Sequence, residues 1–161
     1  MKLRAYGSIG LLALAFVTAP AFAGTSTTLS IKGLAIPGKQ VVVQATLTGS
    51  HIVWDGPGSV PPGLMKLYGA GSSIGQAVPV VPNSTGVSCK LISDPSFNRV
   101  CHAPNSIVSF AYTFPKGTTS TVSFYAHYDG DQDSDGSSSP TLTVTARHPS
   151  VAPIISTLFD D

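Results

Sequence analysis

The chain contains no glutamate: all eight of its acidic residues are aspartates, and charged residues make up only 11% of 161 positions. Glutamate and lysine normally fill the solvent faces of helices, so their scarcity argues against a helical protein. It also narrows acid–base chemistry, since a carboxylate pair for glycoside hydrolysis would have to be built from aspartate alone. Four of the eight, Asp55, Asp94, Asp160 and Asp161, fall in loops or the tail. Tryptophan occurs once, at Trp54, and cysteine twice, at Cys89 and Cys101. Basic residues are not in excess. Nine face eight acidic ones, and without Lys2 and Arg4 the count is seven against eight, leaving no basic patch to draw nucleic acid.

Long hydrophobic runs are also missing. The apolar stretch at residues 9–17 is well short of the roughly 20 residues a membrane-spanning helix needs. Lys2 and Arg4 precede it and Ala21-Phe22-Ala23 follows, the charge, length and small-residue pattern of a secretory signal peptide at residues 1–23. Cleavage after Ala23 leaves residues 24–161, 138 positions, with no integral membrane segment. That length suits one domain with a real core. The expected address is the periplasm, the cell surface or the medium.

What is abundant is threonine, serine, valine and glycine, the composition of strands joined by turns. Val122, Phe124, Ala126 and Tyr128 alternate with Ser123, Tyr125 and His127, and Leu142, Val144 and Ala146 with Thr141, Thr143 and Thr145. A period of two marks strands with one buried face. Val41, Val43, Ala45 and Leu47 repeat the pattern within residues 40–49. Further strands are predicted at 27–31, 64–68, 74–81, 87–93, 99–103 and 107–114, about eight or nine in all, the spacing of a sandwich.

Residues 50–63 are rich in proline and glycine and read as a long surface loop. Trp54 within it is expected to pack as a lid over one end of the core, or to stand out as a partner anchor. In an exported chain two cysteines most simply form one disulfide. Asp94-Pro95-Ser96 suits a turn, and pairing about it sets Cys89 opposite Cys101.

The segment TTSTVSFYAHYDGD…SSSPTLTVTA (residues 118–146) resembles the closing half of the bacterial immunoglobulin-like repeat domains of surface adhesins. There an aromatic ends one strand, a Gly-Asp turn and a Ser-rich stretch follow, and a T-x-T-V strand completes the domain. Tyr128, Gly130-Asp131, Ser137 to Ser139 and Thr141 to Thr145 stand in those places. GKQVVVQATLTG and PPGLMKLYGAGSSIG resemble its earlier strands more loosely. The resemblance implies an immunoglobulin-like antiparallel β-sandwich over residues 24–146, with 147–161 as a C-terminal tail. That family usually occurs as tandem repeats, whereas one copy stands almost alone here; the resemblance implies a binding or structural module at the cell surface, in the periplasm or outside, with a protein or glycan partner, and it transfers no catalytic residue.

Asp129, Asp131, Asp133 and Asp135 place four carboxylates within seven residues. Asp131-x-Asp133-x-Asp135-Gly136 matches the first half of a calcium loop, but its twelfth position is Leu142, where a bidentate glutamate belongs. Calcium is therefore the one candidate cofactor, held weakly if at all. The competing reading is a solvated hairpin turn. His51, His102, His127 and His148 lack metal-ligand spacing, and no Gly-x-Ser-x-Gly elbow exists, so no enzyme is expected. The tail's Val151, Ile154, Ile155, Leu158 and Phe159 suit either packing on the sandwich or donation to a neighbouring pilus-like subunit.

Overall fold

The computed structural model describes residues 24–53, 60–81, 86–91, 99–117 and 119–148. Residues 1–23, where a signal peptide is expected, Trp54, the expected turn at residues 94–96 and the apolar tail residues lie outside them. The described residues form nine strands: β1 (Ser26–Lys32), β2 (Gln40–Val53), β3 (Leu64–Gly69), β4 (Ser72–Pro79), β5 (Ser88–Leu91), β6 (Arg99–Thr113), β7 (Ser120–Tyr128), β8 (Ser137–Ser138) and β9 (Leu142–Ala146). One antiparallel sheet runs β1-β2-β6-β5 and the other β4-β3-β7, with β8 and β9 both paired to the far side of β7. The two pack face to face on a single core, so the expected all-β sandwich is the observed one.

The core follows from alternation. Val41, Val43, Ala45 and Leu47 on β2 meet Val122, Phe124, Ala126 and Tyr128 on β7, with Val108 and Phe110 from β6. Fully burying a side chain such as Leu47 contributes roughly 1.5–3 kcal/mol. Tyr112 stands edge-on to both Phe114 and Phe124, with ring centroids 5.2 and 5.0 Å away, the geometry in which a ring's positive edge meets another's negative face.

The strand expected at 74–81 lies at Ser72–Pro79, and two larger departures from the sequence expectation share one reason. The pattern of β2 does not stop at Gly49; the strand continues through His51, Ile52 and Val53, all buried. A bulge joins its two halves, since Thr48 pairs with Asn105 but His51 with Ala103. Gly49 lies in the bulge at φ 112°, a conformation that suits glycine. Opposite it, Pro104 interrupts nothing: it has no N–H to offer, and it faces the gap the bulge makes in the ladder. The strands expected at 99–103 and 107–114 are thereby one 15-residue strand, β6.

Cys89 and Cys101 are directly opposed on β5 and β6 and joined by a disulfide, as the hairpin register predicted. All four residues of β5 are exposed. A strand that buries so little has few apolar contacts to hold it, and the covalent bond to β6 supplies what burial does not.

Candidate functional site

The acidic segment leaves β7 at Tyr128 and returns through β8. Its four aspartates do not converge. Asp131 turns inward: its Oδ2 accepts from the Tyr128 hydroxyl and from the Ile52 backbone N–H, each at 2.6 Å, and its Oδ1 accepts from the Asp133 N–H at 2.9 Å. Burial pushes the Asp131 carboxyl up, but hydrogen bonds led by that from Tyr128 outweigh it and hold the group below its ordinary value of 3.8. Burial and the same contact drive the Tyr128 hydroxyl strongly upward, so it remains a donor.

Asp129 turns the other way, toward the solvent face of β3 and β7, where it accepts from Lys66 at 2.9 Å and lies 3.5 Å from His127. Asp133 lies 3.6 Å from His102. The Asp135 carbonyl accepts from the Thr25 hydroxyl at 2.8 Å while its side chain is exposed. Among the described residues no group of three or more His, Cys, Asp or Glu side chains is arranged to hold a metal ion. The segment does what a well-tied loop does: it fastens β7 to β2 through Asp131.

Beside that anchor is a buried polar pair the sequence did not disclose. His51 Nδ1 lies 2.6 Å from the Gly49 carbonyl and Nε2 lies 2.9 Å from the Ser106 hydroxyl. A carbonyl only accepts, so Nδ1 carries the proton, Nε2 accepts, and Ser106 donates. Burial pushes the His51 pKa below its ordinary 6.5, against the opposing pull of Gly49 and Asp131, which keeps the ring neutral. A serine donating to a neutral imidazole is the first contact of nucleophilic catalysis. Here Ser106 is 1% exposed and the pair closes the bulge from inside the sandwich, so its role is to satisfy buried polar atoms.

The surface with chemistry to offer is the outer face of the second sheet. Tyr68 on β3 and Tyr125 on β7 are direct cross-strand partners, stacked with centroids 4.7 Å apart and planes within 6° of parallel. Tyr125 is 41% exposed. On the β4 side of Tyr68 the sheet is irregular: Met65 pairs with Val78 but Leu67 with Ile74, so Lys66 faces a β4 segment that carries extra residues, Gly75-Gln76-Ala77. The bulge opens a groove of about 420 Å³ walled by Tyr68, Tyr125, Lys66 and Gln76 over small residues at Ser73, Gly75 and Ala77. On the other side of β7 the face continues as hydroxyl pairs, Ser123 with Thr143 at 3.0 Å and Thr121 with Thr145 at 2.9 Å.

Alternation along residues 64–69 and 120–128 is enough to turn Tyr68 and Tyr125 outward. Only the β3–β7 register, a pairing some 57 residues apart in the chain, brings the two rings together. No family model, no curated protein and no solved structure matches this chain.

Proposed function

We propose that the mature chain is an exported, non-enzymatic immunoglobulin-like module that binds a partner at the bacterial envelope or outside the cell. The observation that carries the binding reading is the Tyr68–Tyr125 stack: two large rings held rigid in water on a sheet face, beside a groove with hydrogen-bonding side chains. Aromatic side chains fixed at a surface provide contact area with little further loss of freedom on binding. The immunoglobulin-like assignment is supported by strand order. β1-β2-β6-β5 facing β4-β3-β7-β9 follows the A-B-E-D and C′-C-F-G arrangement of that sandwich. Export is supported by the Cys89–Cys101 bridge, since disulfides persist in oxidising compartments.

The test is expression with residues 1–23 in place, followed by fractionation and intact mass. The expected product is the oxidised chain of residues 24–161 in the periplasm or medium, which then binds saturably to envelope preparations or immobilised glycans and proteins. An uncleaved, reduced chain confined to the cytoplasm, or a mature chain that saturates none of these surfaces, would sink the reading.

A further inference from the structure

We propose that the groove between Tyr68 and the β4 bulge is a carbohydrate subsite that takes an uncharged sugar ring against the free face of Tyr68. The inference rests on the binding-module reading and adds to it a site and a ligand class. The parallel stack with its β7 partner Tyr125 covers one face of Tyr68, which leaves the opposite face on the β4 side, and Tyr68 lines the groove there. The face of an aromatic ring is electron-rich, and the axial C–H groups of a pyranose present a flat, weakly positive surface that matches it. The edge of such a ring is a circle of hydroxyls needing donors and acceptors. Lys66, Ser73 and Gln76 stand around the groove to supply them.

Two further features fit this occupant. The small residues Ser73, Gly75 and Ala77 leave room beside the ring, and a Cβ added at Gly75 would meet nothing within 4 Å. The groove's volume falls within the roughly 300–1,000 Å³ of small-ligand clefts. Charge is also balanced: the Lys66 ammonium is neutralised by Asp129 at 2.9 Å. An anionic polymer would have to compete with that carboxylate, whereas a neutral sugar leaves the pair intact. A proline-rich peptide also stacks on tyrosine, but such peptides use a row of aromatic slots. Here a single aromatic wall faces polar groups.

The experiment is an amide-shift titration of the isotope-labelled, disulfide-bonded mature chain with cellohexaose, mannohexaose and hexa-N-acetylchitohexaose. A polyproline peptide and heparin are the comparison probes. At least one neutral oligosaccharide should shift amides within residues 66–77 and 123–127 and leave β5 unmoved. Tyr68→Ala should weaken that binding up to about tenfold, and Tyr68→Phe, which keeps the ring, should retain it. Should Tyr68→Ala fail to fold, Ser73→Trp blocks the groove with Tyr68 in place and should abolish the same shifts. Three results overturn the proposal: no neutral sugar moving these amides at millimolar concentration, binding indifferent to both variants, or polyproline or heparin occupying the groove while sugars do not. A sugar, peptide or polymer bound elsewhere removes this subsite and leaves the module reading standing, whereas failure of export or of all envelope binding removes the module reading itself.

Discussion

The Tyr128 hydroxyl and the Asp131 carboxylate meet at 2.6 Å, and the same carboxylate oxygen takes the Ile52 N–H from the opposite sheet at an equal distance. One side chain thus satisfies a buried phenol at the end of β7 and a backbone donor on β2. Removing it strands the Ile52 N–H and leaves the Tyr128 hydroxyl only the longer, 3.5 Å contact with Ser134. Asp131→Ala is expected to destabilise the fold by about 2–3 kcal/mol, since an orphaned buried donor costs roughly 1–3 kcal/mol. Asp129→Ala, which loses only surface contacts to Lys66 and His127, should cost under about 1 kcal/mol. Urea unfolding of the two variants checks the ranking, and equal losses would refute it.

The same geometry bears on calcium. Both oxygens of Asp131 are already engaged, Asp129 points to the opposite face and Asp133 lies against His102, which leaves the exposed Asp135. A cation would have to displace N–H and O–H donors that cost nothing further to keep. The melting temperature of the mature chain should therefore be the same in millimolar calcium and in chelator. A ligand specific to the native state must raise it, so a calcium-dependent rise would restore the ion reading.

Acid should destabilise the protein in two stages. His51 is held neutral, with its folded pKa below the ordinary 6.5, so the unfolded chain binds more protons just below that value. Stability is then fully present above about pH 6.5 and falls as the pH drops through this window. Asp131 behaves as a depressed carboxyl: its contribution is present above the ordinary 3.8 and is lost as the pH falls further. Denaturant midpoints measured from pH 8 to pH 3 should show both declines. His51→Asn should flatten the upper one and leave the lower.

Much of this architecture was legible in local pattern. The alternation in 40–49, 122–128 and 141–146 defined the buried faces because each strand carries its own period. The disulfide followed from the hairpin register. What escaped was set by partners distant in sequence. His51 reads as the start of a loop because Gly49 and Pro104 are both strand breakers in isolation; opposed across a bulge, each excuses the other. The four aspartates look equivalent along the chain, yet β2 takes one and β3 another, and neither choice is written in the segment itself. The Tyr68–Tyr125 wall is of the same kind, since each tyrosine is ordinary until β3 and β7 pair.

The disulfide should protect a local unit more than the whole. Its loop spans 12 residues, and closing such a loop contributes on the order of 3 kcal/mol in the chain-entropy model. β5 buries none of its four residues, so its short backbone ladder to β6 is unsupported by apolar packing. In Cys89→Ser/Cys101→Ser, amides of β5 should exchange with solvent far faster, while those of β7 slow or quicken only with global stability. Uniform loss of protection across both sheets would show that the bond stabilises the sandwich as one body.

The turn between β3 and β4 offers a gain rather than a loss. Gly69 pairs with Ser72, leaving Ala70 and Gly71 as a two-residue loop with φ values of 50° and 79°. Positive φ at both centres is what a type I′ hairpin demands, and Asn-Gly is its preferred sequence. Alanine in the left-handed region costs roughly 1–2 kcal/mol because its Cβ crowds the following carbonyl, and asparagine tolerates the region better. Ala70 is exposed, so a larger polar side chain meets solvent. Ala70→Asn should raise stability by about 0.5–1 kcal/mol and leave the groove beside Tyr68 unaltered. A thermal melt with an unchanged or lower midpoint would mean that the turn relaxes out of the left-handed conformation in solution.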